Sequence, residues 1–108
     1  MRLLLDECID EGLRRYFPGH ECQTCRYAGL SGLANGALLA AADQAGFEVL
    51  ITVDQNMPFQ QTLHGRSISL LVIRSRTTSL DDLLLVMPDV LKALEGLGPG
   101  EVVRAGIH

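Results

Sequence analysis

Short, continuous apolar runs constrain this chain more than any other feature. Arg2 to Leu5 contains Leu3-Leu4-Leu5 and stops at Asp6, and Ser67 to Arg74 contains Leu70-Leu71-Val72-Ile73. A strand with one wet face alternates apolar and polar residues, whereas these runs are apolar on both sides, as strands of a covered parallel sheet are. Glu48 to Val53 reads as a third such strand, rich in β-branched residues and ending at Asp54. Two shorter extended runs, Glu21 to Thr24 and Glu101 to Ala105, complete the set, the last at a sheet edge where Arg104 can meet solvent.

The intervening segments carry helix signals. Ile9, Leu13, Tyr16 and Phe17 recur at helical spacing before Pro18-Gly19 stops the helix. Arg26 to Ala34, with two glycines and a serine, reads as a loop, and Asn35 as the cap of an Ala-rich helix ending near Gln44, with Gly46 as its terminator. Gln55 to Arg66 reads as a loop or short helix. Ser79 and Asp82 resemble a capping box, and Pro88 predicts a kink or two short helices meeting near Met87. The alternation of strands and helices predicts an α/β fold: three layers, α/β/α, around a mostly parallel sheet of four to five strands with right-handed crossovers. At 108 residues, 47% of them hydrophobic, the chain suffices for one domain, residues 1–108, without disulfides.

Composition narrows the function. A formal net charge of −4 argues against holding nucleic acid by a broad basic surface, and no apolar stretch is long enough to span a bilayer. Without a signal-peptide pattern, a cytoplasmic protein with no membrane partner is expected. Three cysteines cannot all pair, and Cys22 and Cys25 sit in or just after an extended run, where positions three apart point to opposite faces. Buried or surface thiols fit them better than a redox or zinc site. His20, His64 and His108 have no partner that sequence can name. Met57, Met87 and the few aromatics read as packing residues rather than a base-stacking platform.

Open parallel sheets bind ligands outside the carboxyl ends of their strands. That rule gathers Asp6 and Glu7, Thr24, Asp54 with Gln55 and Asn56, and Arg74 to Thr78 on one rim. Neighbouring carboxylates repel one another and are stabilised by a hard divalent cation, with Mg²⁺ or Mn²⁺ the best fit. Such an ion supports phosphodiester hydrolysis, and Arg74 and Arg76 can hold the phosphate backbone or form a solvated face. Taken singly, Asp6 is as readily a helix cap and Asp54 a turn residue; their occurrence together at two apolar strand ends points to a site.

Arg-Leu-Leu-Leu-Asp6-Glu7, the segment Asn35 to Gly46 and Thr52-Val-Asp54, in that order, resemble the small stand-alone PIN-like proteins over most of the chain. The resemblance implies a PIN-like fold and a Mg²⁺- or Mn²⁺-dependent endoribonuclease, often the toxin of a bacterial toxin–antitoxin pair. It implies RNA as substrate, an antitoxin-like protein partner and a homodimer. Asp6, Glu7 and Asp54 would be catalytic, with Asp6, Asp54 and Asn35 at the metal and Thr52, Asn56, Arg74 and Arg76 on the nucleic acid. Asn35 and Asn56 offer neutral oxygens, and Asn35 stands where the family usually has an acidic residue. The alternative is a PIN-like module, weak or inactive in catalysis, that binds a protein or nucleic-acid partner.

Overall fold

The structure, a computed structural model, describes residues 1–57 and 65–107. Five strands, β1 (Arg2–Leu5), β2 (Glu21–Thr24), β3 (Val49–Thr52), β4 (Ser69–Arg74) and β5 (Val102–Gly106), form one sheet in the order β2-β1-β3-β4-β5. Every pairing is parallel. The chain first places β2 on one side of β1 and then crosses to place β3 on the other, so the topological switch point lies at β1.

Side-chain alternation sorts the strand residues into two cores. Leu3, Leu5, Val49, Ile51, Leu71 and Ile73 pack on one face with Ile9, Leu13 and Phe17 and with the helices that follow β4. Leu4, Leu50, Leu70 and Val72 pack on the other with Leu38, Leu39, Ala42 and Met57. All of these strand residues are at most 1% exposed, which is why the runs show no polar alternation. Burying each such side chain contributes about 2 kcal/mol, so the central strands anchor the sheet.

The helices differ from expectation in instructive ways. The segment after β1 is a 3-10 helix, Glu11–Tyr16, whose preceding Asp10 accepts from Gly12 N at 2.8 Å. Gly12 near its start weakens the α-helical preference expected from the apolar spacing. The expected loop at Arg26 begins with a single helical turn, α1 (Cys25–Ala28), capped by the Thr24 hydroxyl on Tyr27 N and closed by Gly29 at φ +75°. One turn is too short to register as a period. α2 (Asn35–Gln44) ends where expected but starts one residue early: Ala34 takes the cap position and Asn35 is already helical, its side chain directed elsewhere.

Near Pro88 two helices meet at Val86: α3 (Leu80–Leu85) and α4 (Met87–Glu95), with the proline in the first turn of α4, where its missing N–H leaves no bond unmade. Ser79 Oγ accepts from Asp82 N at 3.3 Å, whereas the Asp82 carboxylate takes the Thr77 hydroxyl, so only half of a capping box forms. Much of the expected loop or helix over Gln55 to Arg66, residues 58–64, lies outside the described residues, as does His108. No helix among the described residues is long and apolar enough to cross a membrane.

β5 runs one residue past its expected end because Gly106 pairs with Arg74 at φ +119°. A Cβ at Gly106 would run into the Arg74 carbonyl, whereas Gly19, at φ +81°, faces open space. Gly106→Ala is therefore expected to cost about 2 kcal/mol or more and Gly19→Ala about 1 kcal/mol. Urea denaturation midpoints of the two variants check the ranking.

Candidate acidic centre at the strand ends

β1 and β3 are neighbours in register, Leu5 opposite Ile51, so the residues that follow them emerge side by side. Asp6 N donates to Ile51 O at 2.9 Å, extending the ladder by one bond and holding Asp6 beside Thr52. Thr52 is 0% exposed. Its hydroxyl donates to Asp6 Oδ2 at 2.7 Å and accepts from Asp54 N at 3.0 Å, so one buried group ties both acidic residues together.

The remaining carboxylate oxygens are also placed by donors. Glu7 N donates to Asp6 Oδ1 at 2.8 Å, and Asn56 N donates to Asp54 Oδ1 at 3.0 Å in an Asx-type turn. Asn35 Nδ2, from the first turn of α2, faces Asp54 Oδ2 at 3.4 Å. Asn35 is thus not the expected helix cap but part of the acidic centre. Asp6 and Asp54 are half-buried, and their oxygens keep lone pairs for a further partner.

Glu7 is exposed and accepts from Gly32 N, which pins the glycine-containing loop beside β1. Asp6 and Glu7 line a cavity of about 100 Å³ shared with Thr24, Arg26 and Ser31. At the exits of β3 and β4, the exposed Gln55 donates from Nε2 to Val53 O at 3.1 Å and Ile73 O at 2.8 Å, lacing the two strands. Arg74, Arg76 and Asn56 are exposed on the same rim. Thr52, expected on the nucleic-acid side, has no surface to offer; its role is to position Asp6 and Asp54.

Cys8 is a component that the sequence reading did not single out. It is exposed, with Sγ 3.4 Å from Asp6 Oδ2 and 3.6 Å from Thr52 Oγ1. Only its place two residues after Asp6, in the turn that leaves β1, signals this. Desolvation, with a smaller contribution from the Asp6 charge, raises the pKa of Cys8 and keeps the thiol protonated as a donor to that carboxylate. Cys22 and Cys25 pack against opposite faces of the sheet, as their spacing predicts, and all three cysteines are free. Burial pushes Cys22 up to about 12, and burial followed by the charges of Asp6 and Glu7 pushes Cys25 up to about 12.

The aromatics do not all pack as expected. Phe17 and Phe47 are buried, but Tyr27 is 79% exposed. Among the described residues, no three His, Cys, Asp or Glu side chains form a group that could hold a metal ion. The centre is a pair of carboxylates with one amide, one hydroxyl and one thiol around it. Comparison with protein-family models, curated proteins and solved structures finds no match to this chain.

Two outcomes are expected. Thr52→Val, which keeps the shape and removes the hydroxyl, should destabilise the fold by about 1–3 kcal/mol in urea titrations, with Thr52→Ser recovering most of the loss. In a thiol-reagent assay at neutral pH, Cys8 should react first, and Cys22 and Cys25 should become reactive only on unfolding.

Proposed function

We propose that this chain is a PIN-like, Mg²⁺- or Mn²⁺-dependent endoribonuclease of the cytoplasm, the toxin member of a bacterial toxin–antitoxin pair, restrained by a small partner protein. The observation that carries the reading is the pair Asp6 and Asp54, brought together by the Thr52 hydroxyl at the switch point of a parallel sheet. The order of a first-strand Asp, a polar residue opening an Ala-rich helix and a Thr-x-Asp supports it further.

The donor set suits the ion. Mg²⁺ commonly takes one or two carboxylates and keeps several waters, so Asp6 and Asp54 would hold it, joined by the Asn35 amide with its oxygen turned inward. When bound, such an ion lowers the pKa of a water and neutralises phosphate charge. The chain's own residues do the rest. Thr52 holds the Asp6 carboxylate and the Asp54 backbone N–H. Glu7, whose carboxylate accepts from Gly32 N, would accept a proton from water. Arg74 and Arg76 hold flanking phosphates, and Asn56 lines the turn next to them.

Asn35 favours a second reading, a PIN-like module without catalysis. Its amide brings no charge to a place where the family usually has an acid, and it donates to Asp54 instead of joining it as an anion. On the nuclease reading, a panel of RNAs should be cleaved with Mn²⁺ or Mg²⁺, and Asp6→Asn combined with Asp54→Asn should reduce the rate about a hundredfold or more. Cleavage that survives the double substitution excludes this centre.

Asn35→Asp supplies the missing carboxylate and tests the metal directly. It should lower the melting temperature in chelator, because two acids then face each other, and should enlarge the stabilisation by Mn²⁺ relative to the unaltered chain. Melting curves with and without millimolar Mn²⁺ measure both effects, and no shift in either protein favours the non-catalytic module.

A further inference from the structure

The cavity at Asp6 and Glu7 is not closed. Its lining residues Glu11, Thr24 and Arg26 also line a larger cavity of about 610 Å³ that runs over the outer edge of β2. The acidic centre therefore opens sideways into a trough, and the trough has a distinct chemistry. Arg14, from the 3-10 helix, and Arg26 and Tyr27, from α1, stand along it. Tyr27 is the most exposed large hydrophobic side chain among the described residues, at 79%. An aromatic ring in this state gives up its apolar faces to water, and a flat, sequence-tolerant partner such as a nucleobase covers such a face well.

The charges in the trough suit a phosphate backbone once their present pairing is considered. Arg26 Nε lies 3.7 Å from Glu11 Oε1, with the side chains 83% and 56% exposed, and Glu21 lies 3.9 Å from Arg2 Nε. Exposed pairs of this kind contribute about 0–1 kcal/mol and are easily exchanged. Arg14 makes no ion pair among the described residues. The two arginines can thus turn to phosphates at little cost, while Glu11 and Glu21 moderate the affinity.

We propose that this trough is a single-stranded RNA subsite in which Tyr27 stacks on a base and Arg26 and Arg14 hold the adjoining phosphates. The inference rests on the nucleic-acid reading of the acidic centre and names its substrate class: unpaired nucleotides, since a paired base presents no free face to Tyr27. It also sets a direction. The strand passes over the centre from the β2 flank, with Arg26 and Tyr27, to the β4 flank, with Arg74 and Arg76. Those flanks are three strand spacings apart, about 14 Å.

The test is fluorescence anisotropy of a labelled single-stranded oligoribonucleotide of about ten nucleotides, in chelator so that no cleavage occurs. Tyr27→Ala should weaken binding about fivefold or more, Tyr27→Phe should bind as the unaltered chain does, and Arg26→Gln should reduce the salt dependence by about one phosphate contact. Tyr27 is exposed, so its variants are expected to fold. Equal binding by Tyr27→Ala, while the unaltered chain binds RNA and cleaves it with metal, overturns the subsite and leaves the nuclease reading intact. Tyr27-dependent binding without any cleavage does the reverse. No binding by the unaltered chain overturns both.

Discussion

The hydroxyl of Thr52 is the group on which the candidate centre depends. Two carboxylates at adjacent strand ends repel each other, and the cost grows as they leave water. Here a buried hydroxyl donates to one and accepts from the backbone of the other, while Glu7 N and Asn56 N supply further donors. This bond network holds the two acidic residues in place. It is available only because β1 and β3 are parallel neighbours in register, which brings Asp6 and Thr52 to the same level.

That register depends in turn on burial on both faces. Leu3 and Leu5 face one core and Leu4 the other, and Val49, Leu50 and Ile51 divide in the same way. A slip of one residue in either strand would exchange the faces and separate Asp6 from Thr52, so the cores that stabilise the sheet also set the geometry of the centre. The residues around it sit on less constrained ground: Glu7, Cys8, Arg26, Tyr27 and Arg74 are all exposed on loops or element ends. A rigid pair of carboxylates surrounded by adaptable groups suits the proposed nuclease site, which would accept a flexible polymer.

Much of this was legible in the sequence because strong signals carried it. The runs that became β1, β3 and β4 are apolar on both faces, and the acids that end β1 and follow β3 lie where strand-end geometry puts ligands. The bounds of β1 and β2 agree with expectation to the residue. What escaped was local or tertiary. The turn Cys25–Ala28 is too short for periodicity and rests on a Thr24 cap and a left-handed Gly29. Asn35 has the chemistry of a cap, but the nearby Asp54 carboxylate competes for its amide. The Thr-x-Asp resemblance puts Thr52 on the nucleic acid, and only the packing of β3 between β1 and β4 shows it fully buried. Tyr27 counts among the aromatics expected to pack, although it falls in the segment Arg26 to Ala34 that reads as a loop, and it is exposed.

The central claim is that Asp6 and Asp54 form a shared site for a hard divalent cation. Anomalous X-ray scattering from crystals soaked in Mn²⁺ tests it most directly. The account predicts one anomalous peak within bonding distance of both carboxylates, absent from crystals of the Asp6→Asn, Asp54→Asn protein soaked in the same way. A peak elsewhere on the molecule with none at this centre, or the same peak in the doubly substituted protein, would contradict it.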